Sequence, residues 1–332
     1  MCRRFNRART ISSLALSILL GGLLACSSLP RHPRPSDFPG AGPGFSGEVA
    51  QAHRSALRGM GERWPGSPGD ETARAYLARA FRRNGATFEE VSRGDRVHLL
   101  AEIPGASRDV VLLVATYPVL GLGNDWIDEA GAAVLVELAR VWTASEPPYT
   151  LRFALAETRP FRAVVDVDDF AIEWEEVDRA GIAREIVVVA GRELALAIED
   201  RGEPEQIRAI VALDLSHRPD PVFLRDLRSH PGFRKIFWES AARLGSDSAF
   251  PRDADWASPK SLHLGFRERS MDRVLALVDA SSAPGESGGE VYAAGRGDSR
   301  STAMVLDSVG LVIVDAIETL MRRLQKVDAF SR

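Results

Sequence analysis

The chain has 332 residues, of which 45% are hydrophobic, enough to bury one large core or two smaller ones. Its 42 lysines and arginines are nearly balanced by 46 aspartates and glutamates, so the formal net charge at pH 7 is -4. Both signs of charge are mixed along the chain, which argues against the basic surface that a nucleic-acid partner requires.

The first 26 residues have the pattern of an export signal. Four arginines lie within the first nine residues, and an apolar segment follows at 14–24, shorter than the about 20 residues of a membrane span. The sequence LLAC at 23–26 resembles the lipobox of bacterial lipoproteins, in which a peptidase cuts before a cysteine that is then acylated. It predicts a signal peptide over 1–25 and a lipid anchor at Cys26. The alternative is an ordinary cleaved signal followed by a chance cysteine.

The predicted anchor leads into a segment with the composition of a tether. Residues 26–48 are rich in proline and glycine and lack a hydrophobic pattern, which is typical of an extended linker. Ser27 after the cysteine fits sorting to the outer membrane of a Gram-negative cell. We therefore expect an envelope protein that is anchored by lipid to the periplasmic face of the outer membrane, with its folded domain over 49–328.

The rest of the chain alternates between patterns of helices and strands. Periodicity and apolar runs predict, in chain order, a helix at 70–84, strands at 97–103 and 110–117, a helix at 129–143, a strand at 150–156, an acidic insertion at 166–184, a strand at 185–190, a helix at 191–201, a strand at 207–215, a helix at 232–244, a strand at 273–279 and a helix at 301–325. Alternating helices and apolar strands indicate an α/β fold. We expect a single domain with a mostly parallel, mixed sheet between two helix layers.

Eight segments together resemble one family of enzymes. They are WPGSPGDETARAYLARAFRRNGA (64–86), AEIPG (101–105), the strand at 110–118, AGAAVLVELAR (130–140), the strand LRFALAE (151–157), AGRELALAIEDRG (190–202), IRAIVALDL (207–215) and the closing helix at 301–325. In their order and spacing they are similar to the zinc aminopeptidases and glutaminyl cyclases of metallopeptidase family 28. The resemblance implies the phosphorylase/hydrolase-like fold of zinc exopeptidases, with metal ligands at the ends of its strands.

The family's metal ligands, carried over one by one, are mostly replaced. Thr116 stands where the first histidine is expected, with Pro118 at its supporting aspartate. The bridging aspartate corresponds to Asp125 or Asp128. The paired glutamates, a general base and a ligand, become Glu157 and Thr158, and Glu157 matches either of them. Asp214 keeps the aspartate at the end of a strand, whereas Ala294 stands at the final histidine.

These replacements remove most of the ligands that zinc-dependent catalysis would need. Zinc prefers imidazole, carboxylate and thiolate ligands, and threonine and alanine provide none of them. We expect no metal, with Asp128 and Asp214 as the ligands if one binds, and no other cofactor. Without a metal the attacking water keeps a pKa of about 15.7 instead of about 7, a difference worth about 12 kcal/mol.

The sequence therefore predicts a non-catalytic relative of these enzymes that acts as a binding or scaffold module. The carboxylates of Asp128, Glu157 and Asp214 favour a cationic ligand such as the amino terminus of a peptide or protein. The alternative is an active zinc-dependent exopeptidase or glutaminyl cyclase with a rearranged metal site, for which Asp214, His217 and His230 are the candidates.

Overall fold

The computed structural model of the chain describes residues 32, 34–37, 42–61, 63, 65–117, 129–158, 179–215, 221–258, 261–280 and 301–330. Its helices are α1 (Gly47–Arg58), α2 (Pro68–Arg83), α3 (Ala130–Thr143), α4 (Arg179–Asp200), α5 (Pro231–Arg243), α6 (Leu262–Arg267) and α7 (Thr302–Phe330). Its strands are β1 (Thr87–Arg93), β2 (Arg96–Ile103), β3 (Ser107–Tyr117), β4 (Tyr149–Glu157), β5 (Ile207–Asp214), β6 (Arg225–Asp226), β7 (Asp255–Trp256) and β8 (Val274–Val278).

Six strands form one mixed sheet in the order β1-β2-β4-β3-β5-β8. Strands β4, β3, β5 and β8 run parallel, whereas β2 pairs with β4 and β1 pairs with β2 in the antiparallel direction. Strands β6 and β7 form a separate parallel pair. Strands β3 and β5 carry their polar residues near the ends, because their central residues are buried on both faces.

Helices cover both faces of the sheet, which explains the continuous apolar runs of the central strands. Leu113 and Ala115 of β3 belong to the core shared with α1, α2, α3, α5 and α7. Leu112 and Val114 point to the opposite face and pack in a second core with α4 and α6. The predicted α/β sandwich with a mostly parallel, mixed sheet is confirmed.

The predicted strand at 185–190 is wrong, because these residues belong to α4. Val187, Ala190 and Leu194 are spaced three and four residues apart and pack together against the sheet. A short run of valines does not distinguish a strand from a buried helix by periodicity alone. A close contact with α6 holds the helix in place, since a Cβ on Gly191 would lie 2.1 Å from the carbonyl oxygen of Leu262.

Two elements near the start of the folded region were not predicted. Helix α1 begins inside the segment interpreted as a tether, so the expected boundary between 48 and 49 falls within this helix. The Ser46 hydroxyl accepts a hydrogen bond from the Val49 N–H, and the Ser46 N–H donates to Glu137 at 2.9 Å. Strand β1 is an edge strand with largely exposed side chains, and therefore lacks an apolar run.

The chain divides into two units, Met1–His32 and Pro33–Arg332, and all helices and strands given above belong to the second. Within the described ranges, no helix combines the length and hydropathy that crossing a membrane requires. The predicted signal peptide at 1–25 and the anchor at Cys26 lie outside the described residues.

Candidate functional site

The carboxyl ends of the four parallel strands bring the predicted site residues to one edge of the sheet. Tyr117 of β3 pairs with Glu157 of β4. Val114 pairs with Ala212 two residues before the end of β5, so Thr116 is level with Asp214. We call this edge, formed by Thr116, Tyr117, Glu157, Thr158, Asp214 and Asp279, the carboxyl edge. In α/β sheets ligands bind at such an edge.

The site residues of the carboxyl edge divide between the two faces of the sheet. Alternation along the strands places Thr116 and Asp214 on the face that α4 and α6 cover. Tyr117 and Glu157 lie on the opposite face, where the Tyr117 hydroxyl donates to Asp70 Oδ1 at 2.6 Å. The sequence brings Thr116, Glu157 and Asp214 to one edge, but not to one face.

The carboxylate of Glu157 is bound to the neighbouring strand. It accepts a hydrogen bond from the Val97 N–H of β2, while the Glu157 N–H donates to His98 Nδ1 at 3.2 Å. Arg96 donates to the Glu157 carbonyl oxygen at 3.2 Å. Glu157 as a whole is 4% exposed, and its carboxylate is bonded to β2 at the end of the β2–β4 pair.

His98 is a neutral, fully buried histidine behind Glu157. Its burial, together with the positive charges of Arg96 and Arg93, lowers the pKa of His98 to about 3. Because Nδ1 accepts a hydrogen bond from the main chain, the ring proton of the neutral form lies on Nε2. Sequence analysis missed this residue, since nothing in the alternation of β2 distinguishes it.

Asp214 and Asp279 are neighbouring acidic residues at the ends of β5 and β8. The Asp279 N–H donates to the Asp214 carbonyl oxygen at 3.1 Å, and Asp279 Oδ1 accepts from the Val222 N–H at 3.0 Å. Burial and the charge of Asp279 raise the pKa of Asp214 to about 7, although Arg184 partly opposes the shift. Asp279 was not proposed from the sequence. It directly follows the apolar strand β8, which is the signal that would have found it.

The residues described at the carboxyl edge do not fit a zinc site. They offer the hydroxyls of Thr116 and Thr158 and the carboxylates of Glu157, Asp214 and Asp279, without an imidazole on the side of Asp214. Within the described ranges there is no group of three or more histidine, cysteine, aspartate or glutamate side chains placed to hold a metal ion. We therefore derive no catalytic step through a metal.

His230, the candidate for a rearranged site, lies elsewhere. It precedes α5, its N–H donates to the carbonyl oxygen of Val274 at 2.8 Å, and its ring centroid is 4.3 Å from that of Phe233. Val274 begins β8, whereas Asp214 lies level with Val278 at the end of that strand. His230 and Asp214 are thus at opposite ends of the sheet. The remaining site residues, Asp125, Asp128, His217 and Ala294, lie outside the described residues.

Solved structures with the same architecture are enzymes of the expected group. Glutaminyl cyclase from an Acidobacteriales bacterium matches with a TM-score of 0.61 and 19% identity, covering 89% of this chain and 98% of that one. Glutaminyl cyclase from Porphyromonas gingivalis matches with a TM-score of 0.63 and 17% identity, covering 83% and 99%. A Zn-dependent exopeptidase from Parabacteroides distasonis matches with a TM-score of 0.61 and 14% identity, covering 83% and 98%. The chain has the fold of these enzymes.

The comparison is informative about the fold because it spans almost the whole length of these neighbours. At 14 to 19% identity it establishes the fold alone. No protein-family model and no curated protein sequence matches the chain. The function must therefore be argued from the side chains at the carboxyl edge.

Proposed function

We propose that this chain is a non-catalytic relative of the glutaminyl cyclases and zinc exopeptidases that binds a cationic group at the carboxyl edge. The observation that carries the proposal is the hydrogen bond from the Val97 N–H to the carboxylate of Glu157. This bond ties the carboxylate to the main chain of the neighbouring strand β2. A buried carboxylate that is engaged with β2 is poorly suited to activate a water molecule.

The two threonines support the same conclusion. The hydroxyls of Thr116 and Thr158 stay protonated at neutral pH and are poor ligands for zinc. Thr158 is fully buried, and its N–H donates to the carbonyl oxygen of Tyr117 at 2.7 Å, which extends the β3–β4 pairing by one residue. In this interpretation, positions that hold metal in the related enzymes stabilise the end of the sheet here.

The proposed ligand is a primary ammonium group, such as the amino terminus of a peptide. Asp214 lies beside Asp279, and their repulsion is part of what raises the pKa of Asp214 to about 7. A cation at this position stabilises the ionised form of Asp214 and so binds with release of a proton below pH 7. Binding is therefore expected to strengthen from pH 6 to about pH 7.5, above which the amino terminus of the ligand loses its own proton.

Calorimetry on the full chain, purified in a non-ionic detergent, tests the binding site. Trialanine is titrated at pH 7, where its amino terminus is mostly protonated, with N-acetyl-trialanine as the ligand that lacks the cation. We expect Asp214→Asn to weaken trialanine binding at least tenfold and Asp272→Asn, an exposed control two residues before β8, to leave it unchanged. Equal heats for the acetylated and free peptides, or equal affinities of the two variants, would reject the site.

The proposed lipoprotein anchor has a separate test. Acylation of Cys26 adds a lipid mass to the mature chain and places the protein in the membrane fraction of a Gram-negative host. We expect Cys26→Ser to remove the lipid mass and to release the protein from washed membranes. A cleaved but unacylated wild-type chain in the soluble periplasmic fraction would contradict the anchor.

An active metal-dependent exopeptidase or cyclase is the second candidate. It is favoured by the fold match, which covers 98% of the Zn-dependent exopeptidase, and by the position of Asp214 at the end of β5. This candidate predicts about one equivalent of zinc per chain and chelator-sensitive turnover of aminoacyl or glutaminyl substrates. The non-catalytic proposal predicts neither, even after zinc is added.

A restored variant separates the two candidates. We expect the combination of Thr116→His, Thr158→Glu and Ala294→His to gain zinc binding that the wild-type chain lacks. Zinc in the wild-type protein, with turnover that EDTA abolishes, would overturn the non-catalytic proposal directly. Failure of the restored variant to bind zinc would show that the residue correspondence is wrong.

A further inference from the structure

A second candidate site lies beside α5, and it shares no residue with the carboxyl edge. It is a cleft of 430 Å³ between one face of α5 and the paired strands β6 and β7. This volume lies within the range of roughly 300–1,000 Å³ that is typical of small-molecule sites. The charged residues that line it are Arg225, Arg234, Lys235, Arg252, Glu239 and Asp255. Four cations and two carboxylates leave an excess of two positive charges.

Arg234 is a partly buried cation in this cleft whose hydrogen-bonding capacity is little used. Its side chain is only 19% exposed, and among the described residues its guanidinium makes no hydrogen bond. Its ion pair there is with Asp255 Oδ1 at 4.0 Å, and the same oxygen lies 2.8 Å from Nε of Arg225. One carboxylate thus serves two guanidiniums, and most of the donors of Arg234 remain available to an anion.

The other charged residues form a rim in which the charges are already paired. Lys235 lies 3.8 Å from Glu239, which is also 3.1 Å from Arg323, and Arg252 donates to Asp247 at 2.7 Å. These side chains are largely exposed, so their pairs contribute little and are screened by salt. Arg225 and Arg234 therefore provide the hydrogen-bond donors for a ligand, whereas the exposed residues of the rim contribute only their net positive charge.

The inner wall of the cleft is rigid. Trp238 is 6% exposed, its Nε1–H donates to the carbonyl oxygen of Pro251 at 3.0 Å, and its ring meets Phe250 edge-on at 5.5 Å. Strand β6 is fixed from behind, because Asp226 accepts from the Ser258 N–H at 3.0 Å and from the Ser229 hydroxyl at 2.9 Å. An indole and a strand that are held in this way need little ordering when a ligand binds.

We propose that this cleft binds the phosphate group of an organic phosphomonoester. Guanidinium groups match phosphate oxygens in a bidentate geometry, and the dianionic charge of a phosphomonoester matches the excess of two positive charges. Arg234 and Arg225 donate to the phosphate, while Trp238 contacts the organic part. The phosphomonoester is either a soluble metabolite or the headgroup of a phosphatidic-acid lipid, which share the same chemistry.

Calorimetry on the full chain in a non-ionic detergent tests the proposal. The probes are glycerol 3-phosphate for the soluble source and short-chain phosphatidic acid for the lipid source, with short-chain phosphatidylcholine as the zwitterionic control. Arg234→Gln removes the charge from the cleft. Arg243→Gln makes the same change on the same helix at a 51% exposed residue that does not line the cleft.

We expect at least one of the two phosphomonoesters to bind with saturation and phosphatidylcholine not to bind. We expect Arg234→Gln to weaken that binding at least tenfold, and Arg243→Gln to change it less than twofold. The stronger of the two probes identifies the source of the phosphate. The proposal is overturned if neither phosphomonoester binds, or if the two variants bind with equal affinity while their thermal unfolding matches that of the wild-type chain.

Discussion

The two ends of the parallel strands differ in how their charges are arranged. At the amino ends, Arg208 of β5 donates to Asp109 of β3 at 2.9 Å and also to Asp328 near the end of α7. Asp328 accepts a further hydrogen bond from the Tyr149 hydroxyl at 2.6 Å. At the carboxyl ends, the charge of Asp279 contributes to raising the pKa of Asp214 to about 7.

The charges at the amino ends stabilise the fold, whereas those at the carboxyl ends reduce its stability. At the amino ends each carboxylate faces a guanidinium, and the hydrogen bonds of Tyr149 and Arg208 lower the pKa of Asp328. At the carboxyl ends the fold places like charges together and buries the neutral His98. Groups that are held away from their ordinary pKa are typical of binding and catalytic sites. The comparison predicts that pH affects stability mainly through the carboxyl edge.

Arg208→Met should have the largest effect on stability, because it leaves Asp109 and Asp328 without their shared guanidinium. The Arg208 side chain is 22% exposed, and we expect a loss of about 3–4 kcal/mol in the free energy of unfolding. The loss should be equal at pH 5 and pH 8, because the lowered pKa of Asp328 keeps that carboxylate ionised throughout this range. Urea denaturation measures it. Arg269→Met, which removes an exposed pair with Glu199, is the control and should cost less than about 1 kcal/mol.

His98→Asn tests how the carboxyl edge affects stability at acid pH. The pKa of His98 is about 3 in the folded chain and about 6.5 when unfolded, so the unfolded state binds the proton more readily. The stabilising contribution is complete above pH 6.5 and falls as the pH decreases towards 3, by about 2–3 kcal/mol at pH 4.5. The side-chain oxygen of asparagine still accepts the hydrogen bond from the Glu157 N–H, but asparagine does not bind a proton in this pH range. Parallel acid losses in the variant and the wild-type chain would contradict this assignment.

Asp214→Asn tests how the carboxyl edge affects stability as the pH rises above 5. The pKa of Asp214 is about 7 in the folded chain and near 3.8 when unfolded, so its contribution is complete below pH 3.8 and is lost as the pH rises through 7. We expect the stability advantage of the variant over the wild-type chain to grow by about 2–3 kcal/mol between pH 5 and pH 8. Denaturation at both pH values measures the difference. Asp272→Asn should show no such dependence, and an advantage of Asp214→Asn that is equal at pH 5 and pH 8 would count against ionisation of Asp214 as the cause.

The sequence predicts the sheet better than it predicts the site, for physical reasons. Strands β3 and β5 are apolar on both faces, so their positions and their polar ends at Thr116 and Asp214 could be read from the chain. The valines at 187–189 carry a similar pattern inside a helix, because close contact with α6 overrides their local preference. The expectation that Glu157 is a general base or a metal ligand came from the resemblance to the family. The bond of Glu157 to Val97 depends on a strand 60 residues away.

The smallest expected effect concerns the hydrogen bond from the Val97 N–H to the carboxylate of Glu157. It distinguishes a structural role for Glu157 from a catalytic one. If the carboxylate serves only to accept the Val97 N–H, the neutral amide of Glu157→Gln keeps the acceptor, and the free energy of unfolding should change by less than about 0.5 kcal/mol. Glu157→Ala removes the acceptor and leaves a poorly solvated N–H, at a cost of about 1 kcal/mol. Urea denaturation at pH 7 measures both changes.

The same pair of variants also bears on catalysis, because a general base must lose and regain its charge whereas a hydrogen-bond acceptor need not. In an active hydrolase or cyclase, Glu157→Gln would abolish turnover as completely as Glu157→Ala, while leaving stability intact. In the non-catalytic protein the two variants differ only in stability, and their affinities for trialanine equal that of the wild-type chain, because Glu157 lies on the face opposite Asp214. A glutamine variant as unstable as the alanine variant would mean that the charge of Glu157 itself holds the β2–β4 end together.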